Sequence, residues 1–470
     1  MSSYVNRDTS FTESEKLVNE LGAKSFLRFW TWPNLFRDQE NGKEICDLII
    51  VFGNDILLIS DKKIEFNTEK DINVEWKRWY KKAISKSFAQ TKGAERWIRD
   101  FPNRLFVDKE CKNTFPINID ITKAKFHHIL VTHGLEEFLE KKLGYPSLQF
   151  TNDTFVKDQE PLKIGKVNTK DPFVHVFTEK TLQDCLGHFD TANDFIEYLK
   201  VRENFFSSNK KVSLNSEGDL MTLWYESYDE ITQERNIFIH QKMQQPEVNL
   251  HFSSFSEFMQ RSDFILKKEL DRKSYFWDAL IESFSYHILN GTSVANANWS
   301  KIYEIESKIR IMAQANRFQR RILGDSFIGM YYDFKNKRGT RLSTISGLEQ
   351  AYLFFCLPIT KDYESMEQYR EIRKMMLHEY AIIRKLRNPE LKSLIMIGYA
   401  SARDNSSLDM SFFEEGNDFG FIDFFDWSDE DNKQAQLVLD EYQKHNLVGN
   451  NQITEMMAEE FSPTEKKTRS

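Results

Sequence analysis

Two groups of charged residues bracket the most apolar stretch of the chain. Asp47 precedes the run from Leu48 to Phe52, and Asp61, Lys62 and Lys63 follow the run from Ile56 to Ile59. Ions at the mouths of buried segments are costly to desolvate unless they are paired or hold a metal. Two carboxylates beside lysines offer oxygen ligands to a hard divalent cation, so this stretch is a candidate metal-dependent active site.

The apolar runs that must position these residues are separated by Gly53-Asn54-Asp55, which reads as a hairpin buried on both faces. Before it, residues 11–29 read as an amphipathic helix. Thr12 is placed to cap it, Glu15 to complete a capping box, and Gly22 to end its regular part. Residues 30–33 follow as an aromatic loop or short strand. After the hairpin, residues 76–99 read as a helix with Trp76, Tyr80, Ile84 and Phe88 on one side. That segment holds eight basic residues (Lys77, Arg78, Lys81, Lys82, Lys86, Lys92, Arg96, Arg99) and one acid, Glu95. A solvated helix face and a phosphate-tracking face both account for it.

This order of elements resembles the core of the PD-(D/E)xK, or restriction-endonuclease-like, nuclease superfamily. In that family a glutamate-bearing helix precedes a strand with an aspartate. A neighbouring strand then ends in an acid, a spacer and a lysine, and a polar or basic helix follows. Glu15, Asp47 and the Ser60-Asp61-Lys62-Lys63 segment match in turn, over roughly a fifth of the chain. The resemblance implies an α/β domain with a mixed central sheet and Mg²⁺- (or Mn²⁺-) dependent hydrolysis of phosphodiester bonds, in DNA rather than RNA. A restriction or anti-phage setting is implied by the superfamily alone. Asp47 and Asp61 would hold the metal, Lys62 or Lys63 would serve water and transition state, and Lys77, Arg78, Lys81 and Lys82 would follow the nucleic-acid backbone. The register stays open. Alternate strand residues share a face, so Asp61 goes with Lys63 and completes the motif, or Lys62 goes with Ser60 and a serine takes the acidic place. The alternative function is a nucleic-acid-binding or assembly protein that uses such a fold without catalysis.

Further strands are expected at 104–107, 126–132 and 173–177, and a helix over 189–199 capped by Thr191 and Asp194. The domains expected are 1–200 for the nuclease-like part, 201–260 as a connecting region, and 261–470 as a mainly helical or α+β part. In the last, helices are expected at 271–289, 299–323 and 363–386, strands at 351–357 and 394–399, one amphipathic helix near the end, and a disordered polar tail. Through that part the chain is expected to meet a protein partner or a second copy of itself.

Composition excludes several classes. The chain of 470 residues has a net charge of −8 and a mean hydropathy of −0.57, as a globular protein does, and its 39 phenylalanines chiefly supply core area. No apolar run is long enough for a membrane span, and the first residues lack the apolar region of a secretory signal, so a cytoplasmic location and no membrane partner are expected. Cys46, Cys111, Cys185 and Cys356 show no CxxC spacing. There is no GxxxxGK[ST] or HExxH, and Gly-Asp-Ser-Phe-Ile-Gly at 324–329 is not a nucleophile elbow. His127, His128 and His133 lie close in sequence, but the first two point to opposite strand faces, which argues against a shared metal site. The arginines at 317–321 read as the cover of a helix surface, with contact to phosphate or a partner carboxylate as the alternative.

Overall fold

The computed structural model describes residues 13–39, 41–152, 160–165, 172–229, 234–250, 255–290, 302–401, 417–448, 453–457, 460 and 465–469. The Thr12 cap lies outside them. The chain forms two compact units of mixed α/β character, one from residues 1–265 and 285–316, the other from 266–284 and 317–470. Residues 201–260, expected as a connection, fall inside the first unit. Among the described residues no helix is long and apolar enough to cross a membrane.

The first unit opens with α1 (Glu13–Trp30), followed by β1 (Thr31–Arg37), β2 (Lys43–Phe52) and β3 (Asp55–Lys63). Gly22 does not end α1. The helix runs on to Leu27, whose φ of 61° breaks it. Gly22 instead permits close approach, because a Cβ there would lie 3.3 Å from Leu48 and 3.4 Å from Thr31. Residues 31–37 form a full strand, with Pro33 tolerated because β1 is the sheet edge.

β2 and β3 form the expected hairpin, paired from Leu48↔Ile59 to Phe52↔Asp55. Its turn is Gly53-Asn54, and Gly53 carries the positive φ of 64° that a two-residue hairpin turn demands of its first residue. Gly53→Ala, strained in φ and with its new Cβ 2.9 Å from Arg310 Nη1, is expected to cost about 1–3 kcal/mol in urea denaturation.

Asp71 accepts from the Asn73 and Val74 N–H groups and so starts α2 (Ile72–Trp79) a turn earlier than the apolar spacing indicates. One π-helical turn, Tyr80–Ser85, joins it to α3 (Lys86–Asp100). Then come β4 (Lys125–His133), α4 (Glu136–Leu143), short strands β5 (Gln149–Thr151) and β6 (Lys163–Ile164), β7 (Val174–Thr178), α5 (Glu179–His188), α6 (Ala192–Ser207) and β8 (Lys211–Leu214). Thr191 caps α6 as expected. Residues 104–107 make only single bridges through Phe106, to Phe36 and Thr114, rather than a strand.

The main sheet has the order β1-β2-β3-β4-β7. The hairpin side is antiparallel, and β3, β4 and β7 are parallel. A smaller sheet contains Glu247–Leu250, β8, β5 and β6. α1 lies against Leu48 and Ile50, and α3 lies on the opposite face, where Gln90 meets Asp47 and Thr91 meets His128. Two helical covers explain why β2 and β3 are apolar on both sides.

The second unit mixes helices with one six-stranded sheet, the α+β form of the two expected. Its six strands run in the order Asp418–Asp423, Ser393–Ala400, Ala351–Leu357, Gly339–Ile345, Ile453–Met457 and Glu465–Arg469. Helix Met366–Arg387 links the parallel pair Ala351–Leu357 and Ser393–Ala400, burying Tyr369, Met376, Leu377 and Tyr380 over Leu353, Phe355 and Met396. The helix expected over 299–323 is two, Ile302–Ala313 and Arg317–Asp333. The tail expected to be disordered supplies the edge strand Glu465–Arg469. Arg317, Arg320 and Arg321 are buried rather than spread on a surface, the first two on Asp278 and the third near Asp271.

Candidate active site

The β2/β3 ladder stops at Leu48↔Ile59, and there the strands fork, β2 continuing along β1 and β3 along β4. The Asp47 carboxylate fills the fork. Its Oδ2 accepts the Asp61 backbone N–H at 2.7 Å, the Ser60 hydroxyl at 3.3 Å and Lys62 Nζ at 3.4 Å, and its Oδ1 accepts Gln90 Nε2 at 2.8 Å. Ser60 Oγ is also 3.2 Å from Gln90 Oε1. Asp47 and Ser60 are buried, whereas the Lys62 side chain is 36% exposed. Cys46 donates its thiol to the Ile59 carbonyl, and burial pushes that thiol well above the ordinary range, so it is a structural group.

The register is therefore that of Lys62 with Ser60. Asp61 turns to the other face, where its carboxylate bonds His133 Nε2, and His133 Nδ1 bonds Glu179 at 2.6 Å. The geometry does not join Asp61 to Asp47 as a pair of metal ligands, because successive strand residues project to opposite faces. Lys63 is exposed at the strand end. Glu15 lies on α1, whose sheet-facing side meets Leu48 and Ile50 rather than the Asp47 face. The oxygens gathered around the fork are thus the Asp47 carboxylate, the Ser60 hydroxyl and the Gln90 carbonyl. One carboxylate, a hydroxyl and an amide carbonyl are oxygen donors of the kind that hard divalent cations take.

Of the four expected phosphate contacts, Lys77, Lys81 and Lys82 are exposed on α2 and the π turn. Arg78 is committed elsewhere. Its Nε lies 2.9 and 2.8 Å from the two Glu75 oxygens and its Nη2 donates to the Glu65 carbonyl. That bonding holds the Glu75 carboxyl down at about 2. Gln90 was not singled out among the candidates. A polar side chain on the helix after the hairpin was its only signal.

The three histidines of β4 go to three places. His128 bonds Thr91 and Glu95 of α3 at 3.0 and 2.9 Å, His127 bonds Asp55 at 2.8 Å across the sheet, and His133 joins Asp61 and Glu179. Burial draws the His133 imidazole down, but Asp61 and Glu179 outweigh it and the group ends above its ordinary 6.5. A raised folded-state value stabilises the protein fully below the unfolded one, and the contribution disappears as pH rises through the folded value. Urea denaturation should show wild type exceeding His133→Gln most at pH 5.5, with the gap shrinking toward pH 8.5. A constant gap would mean that His133 contributes packing alone.

Compared with protein-family models, with curated proteins and with solved structures, the chain matches none.

Proposed function

We propose that the first unit is a nuclease-type domain that hydrolyses phosphodiester bonds in nucleic acid, with DNA favoured by the superfamily resemblance alone. The observation that carries this reading is the pairing of Asp47 with Lys62 across the strand fork, with Gln90 and Ser60 holding the carboxylate. The order helix, three-stranded meander, helix, parallel strand supports it as well. A divalent ion bound through Asp47, Ser60 and Gln90 would polarise the phosphoryl oxygen and lower the pKa of its water. Lys62 Nζ, half in solvent, donates to a non-bridging phosphate oxygen and stabilises the charge that develops there. Asp47 keeps that ammonium aimed, and the buried N–H of Asp61 holds the Asp47 carboxylate in place. Lys77, Lys81 and Lys82 follow the backbone of the bound strand.

The test is plasmid cleavage in Mg²⁺ by wild type and Asp47→Asn. Loss of about 100-fold or more is expected for the variant, the scale of one positioned electrostatic group. Undiminished cleavage would remove the site. A second reading is favoured by one observation, the serine at position 60 where the resemblance implies an acid. On that reading the domain binds nucleic acid without cutting it. Wild type would then leave plasmid intact while binding it, and the triple variant Lys77→Ala, Lys81→Ala, Lys82→Ala would reduce the slope of log K against log salt by about 2.7, three contacts at about 0.9 each.

A further inference from the structure

A second cluster lies on the far side of the sheet from Gln90. One ring nitrogen of His127 on β4, one of His175 on β7 and a carboxylate oxygen of Glu203 on α6 lie within 4.8 Å of one another. His127 is 4% exposed and His175 1%, and Glu203 is half-buried. The Nδ1 atoms of both histidines are buried with no hydrogen-bond partner. An orphaned buried nitrogen costs about 1–3 kcal/mol in a neutral core, so two on neighbouring strands call for an explanation.

Asp55 supplies part of it. Its Oδ1 lies 2.8 Å from His127 Nε2, and its other oxygen lies 3.7 Å from Lys200 Nζ. A carboxylate on the remote nitrogen of an imidazole fixes the tautomer that leaves Nδ1 as a lone-pair donor, the arrangement that surrounds metal-ligating histidines. Arg202, whose positive charge acts on His175, is held in a buried ion pair with Glu217. His127 pairs with Leu57, three residues before Ser60 and on the opposite face, so this cluster is separate from the Asp47 fork.

We infer that His127, His175 and Glu203 form a binding site for one divalent transition ion of the zinc class, oriented by Asp55, that clamps α6 to β4 and β7. Two imidazoles and a carboxylate are borderline ligands that select such ions over Mg²⁺, and water takes the remaining position. The ion satisfies the two orphaned nitrogens and ties a helix to two parallel strands, so its role is structural.

The test uses the full chain, freed of metal by dialysis against chelator and titrated with Zn²⁺. Wild type is expected to take up one equivalent at this site and to gain about 5–10 °C in Tm when free Zn²⁺ reaches a hundred times Kd. Glu203→Gln, an isosteric change at a half-buried position, should weaken uptake about 100-fold or more. Asp55→Asn should weaken it about 10- to 100-fold through orientation alone. Substituted Co²⁺ should give visible ligand-field bands in wild type that are absent in Glu203→Gln. His445→Gln, an exposed histidine, should match wild type. No saturable uptake by wild type, unchanged affinity in Glu203→Gln, or an equal loss in His445→Gln would overturn the site.

Discussion

Lys62→Met is expected to lower plasmid cleavage by about 100- to 1,000-fold while DNA affinity changes by less than about threefold. The first figure is the scale on which one preorganised donor acts at a developing charge. The second follows because affinity for a polyanion is a sum over many contacts, and Lys77, Lys81 and Lys82 remain. The fold should survive. Lys62 is 36% exposed, so its ion pair with Asp47 is screened and contributes under about 1 kcal/mol. Asp47 also keeps the Asp61 N–H, the Ser60 hydroxyl and Gln90. Lys62→Arg should not restore the rate, because a planar guanidinium does not place one donor where a compact ammonium does. If Lys62→Met lost binding and cleavage in equal measure, Lys62 would be a backbone contact and the Asp47 pairing would have no part in the chemistry.

Glu217→Gln is expected to destabilise the first unit by about 3–5 kcal/mol, the cost of leaving a buried ion without its partner. Arg202 and Glu217 are both 1% exposed. Arg202 Nε lies 2.9 Å from Oε1 and Nη2 3.2 Å from Oε2, and the guanidinium sits among the rings of Phe150, Phe173, Phe177 and Phe206. Tyr198 also donates to Glu217. With the carboxylate gone, neither the rings nor the amide neutralises the cation. The double variant Arg202→Met, Glu217→Leu should recover part of the loss, since an apolar pair removes both buried charges and leaves only the Tyr198 hydroxyl without its acceptor. Urea denaturation of the three variants measures both effects. A Glu217→Gln midpoint like that of wild type would mean that Arg202 has found another anion or water.

The hairpin was legible because two long apolar runs around a glycine turn have few other solutions, and its buried strands match the expected faces. β4, β7, the Thr191 cap of α6 and strands Ala351–Leu357 and Ser393–Ala400 were legible for similar local reasons. Where the reading departed from the structure, the deciding contacts were distant. The tail segment Glu465–Arg469 is too polar to read as a strand and becomes one by pairing with Ile453–Met457. The polar stretch after residue 200 belongs to the first unit because β8 pairs with β5, some sixty residues earlier in the chain.

The same division runs through the candidate site. Local composition determined that Asp47 and the Ser60 to Lys63 segment sit at the mouths of two neighbouring strands, because charge cannot enter an apolar run unpaired. Which face each residue takes was left to the tertiary structure, since the alternation permits either register until a helix covers one side. α3 brings Gln90 to Asp47 and so selects Ser60 and Lys62, while β4 and α5 claim Asp61 through His133 and Glu179. The assembly of His127, His175 and Glu203 from two strands and a helix likewise depends on parallel pairing and helix packing, which no local pattern encodes.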